Sequence, residues 1–162
     1  MTNTLTVEQL EELLQIQKEF DDRIPTLNLE DSEVAYVVEF FEWFNTLETF
    51  KNWKKKRGKP LEVQLDELAD MLAFSLSITN QMGGAKERHL VFSIFGDLDE
   101  YDYDNLLGIL NHSLMYEKTV GLTIELAKRY YTIDDLIAAY KKKMERNHAR
   151  QDGTADKEKG YV

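Results

Sequence analysis

Apolar residues recur at helical spacing along most of the chain, and this periodicity is the strongest limit on the folds that the sequence can adopt. Spacings of three and four residues fill most of the chain from Thr6 to Asn147, and no segment shows the apolar-polar alternation of a half-buried strand. With 162 residues, the chain has the length of one ordinary domain. We therefore expect an all-α fold, a helical bundle with a four-helix core.

Start signals and apolar stripes predict three helices in the first half of the chain. Thr6 and Gln9 form a capping-box pattern for a helix over 6–20, Asp31 or Ser32 can cap a second, and a third begins near Leu61. Gly83 and Gly84 end the third helix. We expect the core to include Leu10, Leu13, Leu14 and Gln17 from the first helix, Val34, Val37, Val38, Phe41 and Phe44 from the second, and Leu65, Leu68, Leu72 and Leu76 from the third.

Three further helices are predicted in the second half. They cover 86–95, 105–117 and a segment that Thr132 and Asp135 can cap. Their apolar positions are Leu106, Leu107, Leu110 and Leu114 in the second of them and Leu136, Ile137 and Tyr140 in the last. The second and third helices of the chain carry more large apolar residues than one subunit can easily cover, so we also expect a homodimer.

The charge balance limits the classes of partner. Thirty Asp and Glu against 20 Lys and Arg give a formal net charge of −10, which repels duplex DNA and anionic membrane surfaces. We expect no direct nucleic-acid binding and no membrane association. The chain has no Cys, and its N-terminal residues lack the pattern of a signal peptide, so a cytoplasmic location is expected.

Two carboxylate pairs interrupt the most apolar helices. Glu39 and Glu42 stand three apart on the second helix, and Glu67 and Asp70 stand three apart on the third, so each pair projects from one helical face. Two such helices facing each other would form an all-oxygen site suited to Mg²⁺ or Mn²⁺. Alternatively, these side chains lie at the edges of core stripes, where water or Lys neutralises them.

Basic residues gather in two places that could hold phosphate. The basic segment, residues 50–60 (FKNWKKKRGKP), contains Trp53, which can stack on a base. Near the end of the last helix, Lys143, Asn147 and Arg150 share one face. Alternatively, the first cluster is a solvated loop without a ligand, and the second only compensates the dipole at the C-terminal end of its helix.

Together these motifs resemble the dimeric all-α dUTPases of bacteriophages, some bacteria and protozoa, members of the all-α NTP pyrophosphatases. The similarity covers almost the whole chain: LQIQKEFDDRI, EFFEWFN, FKNW, DELADMLAFSLS and YKKKMERNHARQ follow the family order. Met144 stands where many members carry Asn, and Ala73 where many carry His. We expect these two differences to affect substrate affinity and selectivity more than the reaction type.

The resemblance implies residue roles and a reaction. Mg²⁺ held by Glu39, Glu42, Glu67 and Asp70 would support hydrolysis of dUTP to dUMP and pyrophosphate, with Glu39 accepting a proton from water. The nucleoside would contact Gln17, Asp21 and Trp53, and the phosphates would contact Lys143, Asn147 and Arg150. We assign 1–150 to the catalytic domain and 151–162 to a polar C-terminal tail.

Two alternatives remain open. A relative in the same superfamily could hydrolyse dCTP or other nucleotides through the same carboxylates. The resemblance also implies that a phage member can bind and inactivate a repressor of a mobile genetic element. For such a partner, we expect the contact surface within 86–116, which carries no active-site motif.

Overall fold

The computed structural model describes residues 3–84 and 103–161 of the chain. Within these ranges there are six α-helices and no β-strand, which confirms the all-α prediction. A short 3₁₀ helix follows the last α-helix at Lys157–Lys159. The α-helices are α1 (Val7–Asp21), α2 (Leu29–Leu47), α3 (Leu61–Gln81), α4 (Tyr103–Met115), α5 (Thr119–Tyr130) and α6 (Ile133–Gln151).

Helix α1 begins at the predicted capping box. The side chain of Thr6 accepts a hydrogen bond from the backbone of Gln9, and the side chain of Gln9 accepts one from the backbone of Thr6. These two bonds satisfy amide groups that the first turn of a helix leaves without a partner. All four positions expected to face the core are buried: Leu10, Leu13, Leu14 and Gln17.

Helix α2 differs from the prediction in its start and in its buried face. Asn28, rather than Asp31 or Ser32, caps it by accepting a hydrogen bond from the backbone of Asp31. Much of the expected core stripe faces outward: Val34, Val38 and Phe41 are 60%, 47% and 44% exposed. The helix is apolar on more than one face, so spacing alone fits two stripes, and the structure buries the one with the larger aromatic residues: Tyr36, Phe40 and Trp43.

Helix α3 occupies the centre of the bundle. It packs against α1, α2, α5 and α6. The four leucines predicted for its core face, Leu65, Leu68, Leu72 and Leu76, are buried as expected. Because the central helix contacts α1, α2 and α6, polar side chains on these four helices can meet in one place.

Helix α5 is absent from the sequence prediction. Its first turns contain Thr119, Val120, Gly121 and Thr123, which have low helix propensity, and no side chain caps its start. Val120 and Leu122 are fully buried, so packing against the neighbouring helices compensates for the weak local preference.

Helices α4 and α6 agree better with their sequence patterns. In α4, Leu110 is buried and Leu106 and Leu114 are partly buried, but Leu107 is 49% exposed and was wrongly expected in the core. Thr132 caps α6 through the backbone of Asp135, as predicted. The helix expected over 86–95 lies outside the described residues. None of the helices within 3–84 and 103–161 has the length and apolar content that a membrane span requires.

Candidate active site

A cleft of about 350 Å³ lies among α1, α2, α3 and α6. Its lining combines carboxylates, amides and a guanidinium with aromatic and aliphatic side chains, as ligand sites commonly do. Six of the ten residues predicted for the site line this cleft: Gln17, Asp21, Glu39, Asp70, Asn147 and Arg150.

The carboxylates of α2 and α3 converge at one side of the cleft. One oxygen atom each of Glu39, Glu67 and Asp70 lies within 4.8 Å of the others. Glu42 is not part of this group of three, although its charge acts on Glu39. The convergence follows from the packing of α2, which directs Tyr36 and Phe40 into the core.

Burial and mutual repulsion raise the pKa values of these carboxylates. Burial, followed by the charges of Asp70 and Glu42, raises the pKa of Glu39 to about 8. Burial is also the main cause of the raised pKa values of Glu67 and Asp70. Such a cluster binds positive charge readily because a cation removes the repulsion.

Lys143 supplies part of that positive charge. Its Nζ donates to Oδ2 of Asp70 over 2.6 Å and to Oδ2 of Asp66 over 2.7 Å, and the residue is buried. Burial lowers the pKa of Lys143, but these hydrogen bonds outweigh burial and leave the pKa raised. Lys143, which the sequence analysis predicts as a phosphate contact, therefore bridges the carboxylates of Asp66 and Asp70 on α3 in this structure.

The donor set fits a hard divalent cation. All the converging groups are carboxylates, which Mg²⁺ and Mn²⁺ prefer over the nitrogen and sulfur ligands that are common for zinc. The buried Oε2 of Glu39 accepts no hydrogen bond from the described part of the chain. A cation at Glu39, Glu67 and Asp70 would give this atom a partner.

Gln17 and Asp21 form a hydrogen-bonded pair at another wall of the cleft. Nε2 of Gln17 donates to Oδ1 of Asp21 over 2.8 Å, and the hydroxyl of Tyr140 donates to Oε1 of Gln17 over 3.0 Å. Burial raises the pKa of Asp21 although the bond from Gln17 opposes it. The two bonds fix the orientation of the Gln17 amide, as recognition of a base edge would require.

Trp53 does not line the cleft with these residues. It is 72% exposed and makes an edge contact with Phe50 within the basic segment. Buried Glu48 at the end of α2 holds this segment by accepting hydrogen bonds from Lys51, Lys54 and the backbone of Gly58. Asn147 and Arg150, the two other residues that the sequence analysis predicts as phosphate contacts, do meet: Nη1 of Arg150 donates to Oδ1 of Asn147 over 2.9 Å.

Comparison with known protein families gives a match that covers most of the chain. A family model described as dUTPase matches residues 9–154. The chain belongs to the dimeric all-α dUTPase family. No curated protein is similar enough to be counted as a match. Membership of this family implies that the protein is a hydrolase and that its substrate is dUTP.

Met144 and Ala73, the two positions that the sequence analysis set apart from the family pattern, occupy different surroundings in this structure. Ala73 lines the cleft. Met144 is 2% exposed and packs in the core. Of these two positions, 73 is therefore the one whose side chain borders the cleft.

Several polar residues at or near the site of this dUTPase were missed in the sequence analysis. Asp66 precedes Asp70 by one helical turn, so its spacing could have identified it. Tyr140 was assigned only to the core, although it shares a face of α6 with Lys143 and Asn147. Asp156 lies six residues after Arg150, so the pairing of their charges could also have been noticed, whereas the contact of Tyr161 with Arg150 carried no pattern in the sequence. Away from the cleft, Glu48 was also missed, although its partner Lys51 stands only three residues later.

Proposed function

We propose that the protein is a dUTP diphosphatase that cleaves dUTP to dUMP and pyrophosphate with Mg²⁺ held by Glu39, Glu42, Glu67 and Asp70. The observation that carries the proposal is the convergence of three of these carboxylates beside the same cleft that Gln17 and Arg150 line. When bound, the ion would neutralise phosphate charge and increase the acidity of water. Mn²⁺ would be a possible substitute.

The chain's own groups would bind the substrate and move the proton. Besides its share in holding the ion, Glu39 would accept a proton from the water that attacks the α-phosphorus. Arg150 and Asn147 would hold the leaving pyrophosphate, and Lys143 would offset the charge added by the substrate. Gln17 and Asp21 would contact the nucleoside.

The cleft is built by four helices, and we propose that these form the four-helix core of the catalytic domain, 1–150. Helix α1 supplies Gln17 and Asp21, α2 supplies Glu39, α3 supplies Asp70, and α6 supplies Arg150. In this arrangement Trp53 would contact the nucleoside only after a movement of the basic segment or from a second subunit.

We also propose a homodimer in which the outer face of α2 is buried. Val34, Val38 and Phe41 stand one turn apart on this face, and Leu107 of α4 is exposed as well. Exposed apolar groups at such regular spacing are typical of an interface between subunits.

The partner and location predictions follow from the sequence. Net charge supports the absence of nucleic-acid and membrane binding, and the lack of Cys supports a cytoplasmic location. Binding to a repressor of a mobile genetic element, with 86–116 as the contact region, stays a prediction, and much of that region lies outside the described residues.

Product analysis with excess Mg²⁺ tests the proposal. We expect dUMP and pyrophosphate in equal amounts and loss of turnover in excess EDTA. Formation of dUDP would contradict the site of attack, and full activity in EDTA would contradict the metal site. Equal kcat/KM values for dUTP and dCTP would instead assign a broader nucleotide pyrophosphatase.

A further inference from the structure

The segment that follows α6 folds back against the end of that helix. Nε of Arg150 donates to Oδ2 of Asp156 over 2.6 Å, and Nη2 of Arg146 donates to the same oxygen over 3.1 Å. The ring of Tyr161 lies over Arg150, with 5.2 Å between the ring centroid and Cζ of the guanidinium. The tail and the cleft therefore share Arg150, which lines the cleft.

Asp156 holds the side chain of Arg150 in one orientation. Arg150 stands in the last turn of α6, where a long side chain can adopt many rotamers. Its charge-assisted bond to Asp156 and its bond to Asn147 fix the plane of the guanidinium. A side chain that is already ordered loses less entropy when it binds phosphate.

Tyr161 is itself part of the cleft wall. It lines the cleft together with Gln17, Phe20 and Asp70, and 46% of its surface is exposed. An aromatic ring with one part over a cation and another part open can pack against a ligand. Asp156 and Tyr161 both lie beyond residue 154, where the similarity to the family ends.

We propose that the segment 152–161 forms part of the nucleotide-binding cleft, with Asp156 as a positioning residue for Arg150 and Tyr161 as a direct contact of the nucleotide. This inference rests on the proposed function for the identity of the nucleotide. It makes the polar C-terminal tail, which the sequence analysis placed outside the catalytic domain, a component of the site.

Steady-state kinetics of two Tyr161 variants test the contact with the nucleotide. Tyr161→Ala should raise KM for dUTP at least about fivefold with kcat within about twofold, since the ring contacts the substrate and not the reacting atoms. Tyr161→Phe keeps the ring and should retain the wild-type KM. The control is Lys159→Ala, an exposed position in the same segment. Equal KM values for Tyr161→Ala and Lys159→Ala would overturn the assignment.

Calorimetric titration with Mg²⁺-pyrophosphate tests Asp156 without reliance on dUTP turnover. Asp156→Ala should weaken binding at least about fivefold, and it should add nothing in an Arg150→Ala background, because a positioning residue acts only through its partner. Unchanged or tighter binding by Asp156→Ala, or additive losses in the double variant, would overturn the positioning role. Unfolding midpoints of all variants identify any loss that is due to unfolding.

The two experiments separate this inference from the proposed function. If the wild-type protein did not hydrolyse dUTP, the proposed function would fail, while the pyrophosphate titration would still decide whether Asp156 positions Arg150. If dUTP were hydrolysed normally and the tail variants matched the wild type, only the inference about the tail would fail.

Discussion

Individual carboxylates of this protein differ in the effect of their surroundings on their charge. Glu39, Glu67 and Asp70 repel one another in a partly buried cluster, whereas buried Glu48 lies between two lysines. The same residue type therefore favours the neutral form in the first setting and the charged form in the second. We therefore expect opposite effects of a Glu→Gln substitution on stability: no loss at Glu67 and a loss at Glu48.

Glu67→Gln should abolish most turnover without unfolding the protein. The substitution keeps the size of the side chain and removes one charge from the proposed metal site, so we expect kcat to fall by about two orders of magnitude or more. The unfolding midpoint in EDTA should stay equal or rise, because one source of repulsion is gone. Turnover at saturating Mg²⁺ and thermal unfolding measure the two effects.

Glu12→Gln is the matched control for this prediction. Glu12 lies on α1, and its carboxylate accepts a hydrogen bond from Lys141 at an exposed position. Loss of an exposed ion pair changes stability by about 1 kcal/mol at most. Near wild-type kcat for Glu67→Gln, or equal losses in both variants, would argue against a metal-binding role for Glu67.

The charge of Glu48 should contribute stability that depends on pH. The hydrogen bond from Lys54, with help from Lys51, lowers the pKa of Glu48 to about 2. Since the folded pKa is below that of the unfolded chain, this stability is complete above about pH 4.5 and is lost as the pH falls towards about 2. Glu48→Gln should therefore be less stable than the wild type at pH 7, by a margin that shrinks below pH 4.5.

Denaturant unfolding at several pH values measures that margin. A difference between the wild type and Glu48→Gln that is the same at pH 7 and pH 3.5 would show that the charge of Glu48 has no part in it. Glu11→Gln, an exposed position on α1, provides the comparison.

At the scale of elements, Glu48 connects α2 to the basic segment. Its backbone adopts a left-handed conformation with a φ of 55°, which turns the chain out of the helix and directs it towards α3. The carboxylate then binds Lys51, Lys54 and the backbone of Gly58, so one side chain secures both ends of the loop. The loop should depend on this residue more than on any contact of Trp53.

Limited proteolysis with trypsin tests this dependence. The basic segment contains five lysines and one arginine, so a loosened loop offers many cleavage sites. We expect Glu48→Gln to speed cleavage within 50–60 by about threefold or more at pH 7 while the helices stay intact. If the cleavage rate there matched those of the wild type and Glu11→Gln, Glu48 would not secure the loop.

The sequence predicts elements well where local signals and packing agree. In α1, the capping box at Thr6 marks the start of a helix that buries one apolar face, and in α3 the regularly spaced leucines are buried. Both predictions are confirmed. The same reasoning fails for helix α2 because it is apolar on more than one face, so spacing alone does not determine which face packs against α3. Helix α5 was missed because Gly121 and its β-branched neighbours disfavour a helix locally while tertiary burial imposes one.

Prediction of the site divides along similar lines. Spacing brought out the pairs Glu39–Glu42 and Glu67–Asp70 because each pair lies on one helix. The bonds from Lys143 to Asp66 and from Tyr140 to Gln17 join residues far apart in the chain, so no local pattern contains them. Trp53 shows the converse: its motif is clear in the sequence, yet it lies outside the cleft in the structure.

At the scale of the whole molecule, the exposed face of α2 predicts association. Phe41→Asp should shift the protein from dimer to monomer, because it places a charge in a proposed apolar interface. Light scattering should give about twice the monomer mass of 19.0 kDa for the wild type and about the monomer mass for the variant. Glu30→Gln, an exposed change on the same helix, should leave the mass unchanged.

A wild-type mass near that of the monomer at micromolar concentration would contradict the dimer. If the Phe41→Asp variant stayed dimeric, the subunit interface would have to lie on another face of the protein. Phe41 lines a small apolar depression together with Phe40, Phe44 and Phe50, so the unfolding midpoint is needed to check for a local effect of the substitution on packing.

The chain's two tryptophans differ in environment, so their intrinsic fluorescence can report on two parts of the protein separately. Trp43 is fully buried, and its indole donates to the hydroxyl of Tyr131, whereas Trp53 is 72% exposed. Buried indoles emit at shorter wavelengths and resist quenching by iodide, while exposed ones emit at longer wavelengths and are quenched. Emission from the first therefore follows the integrity of the core, and emission from the second follows the basic segment, with no dye attached to the protein.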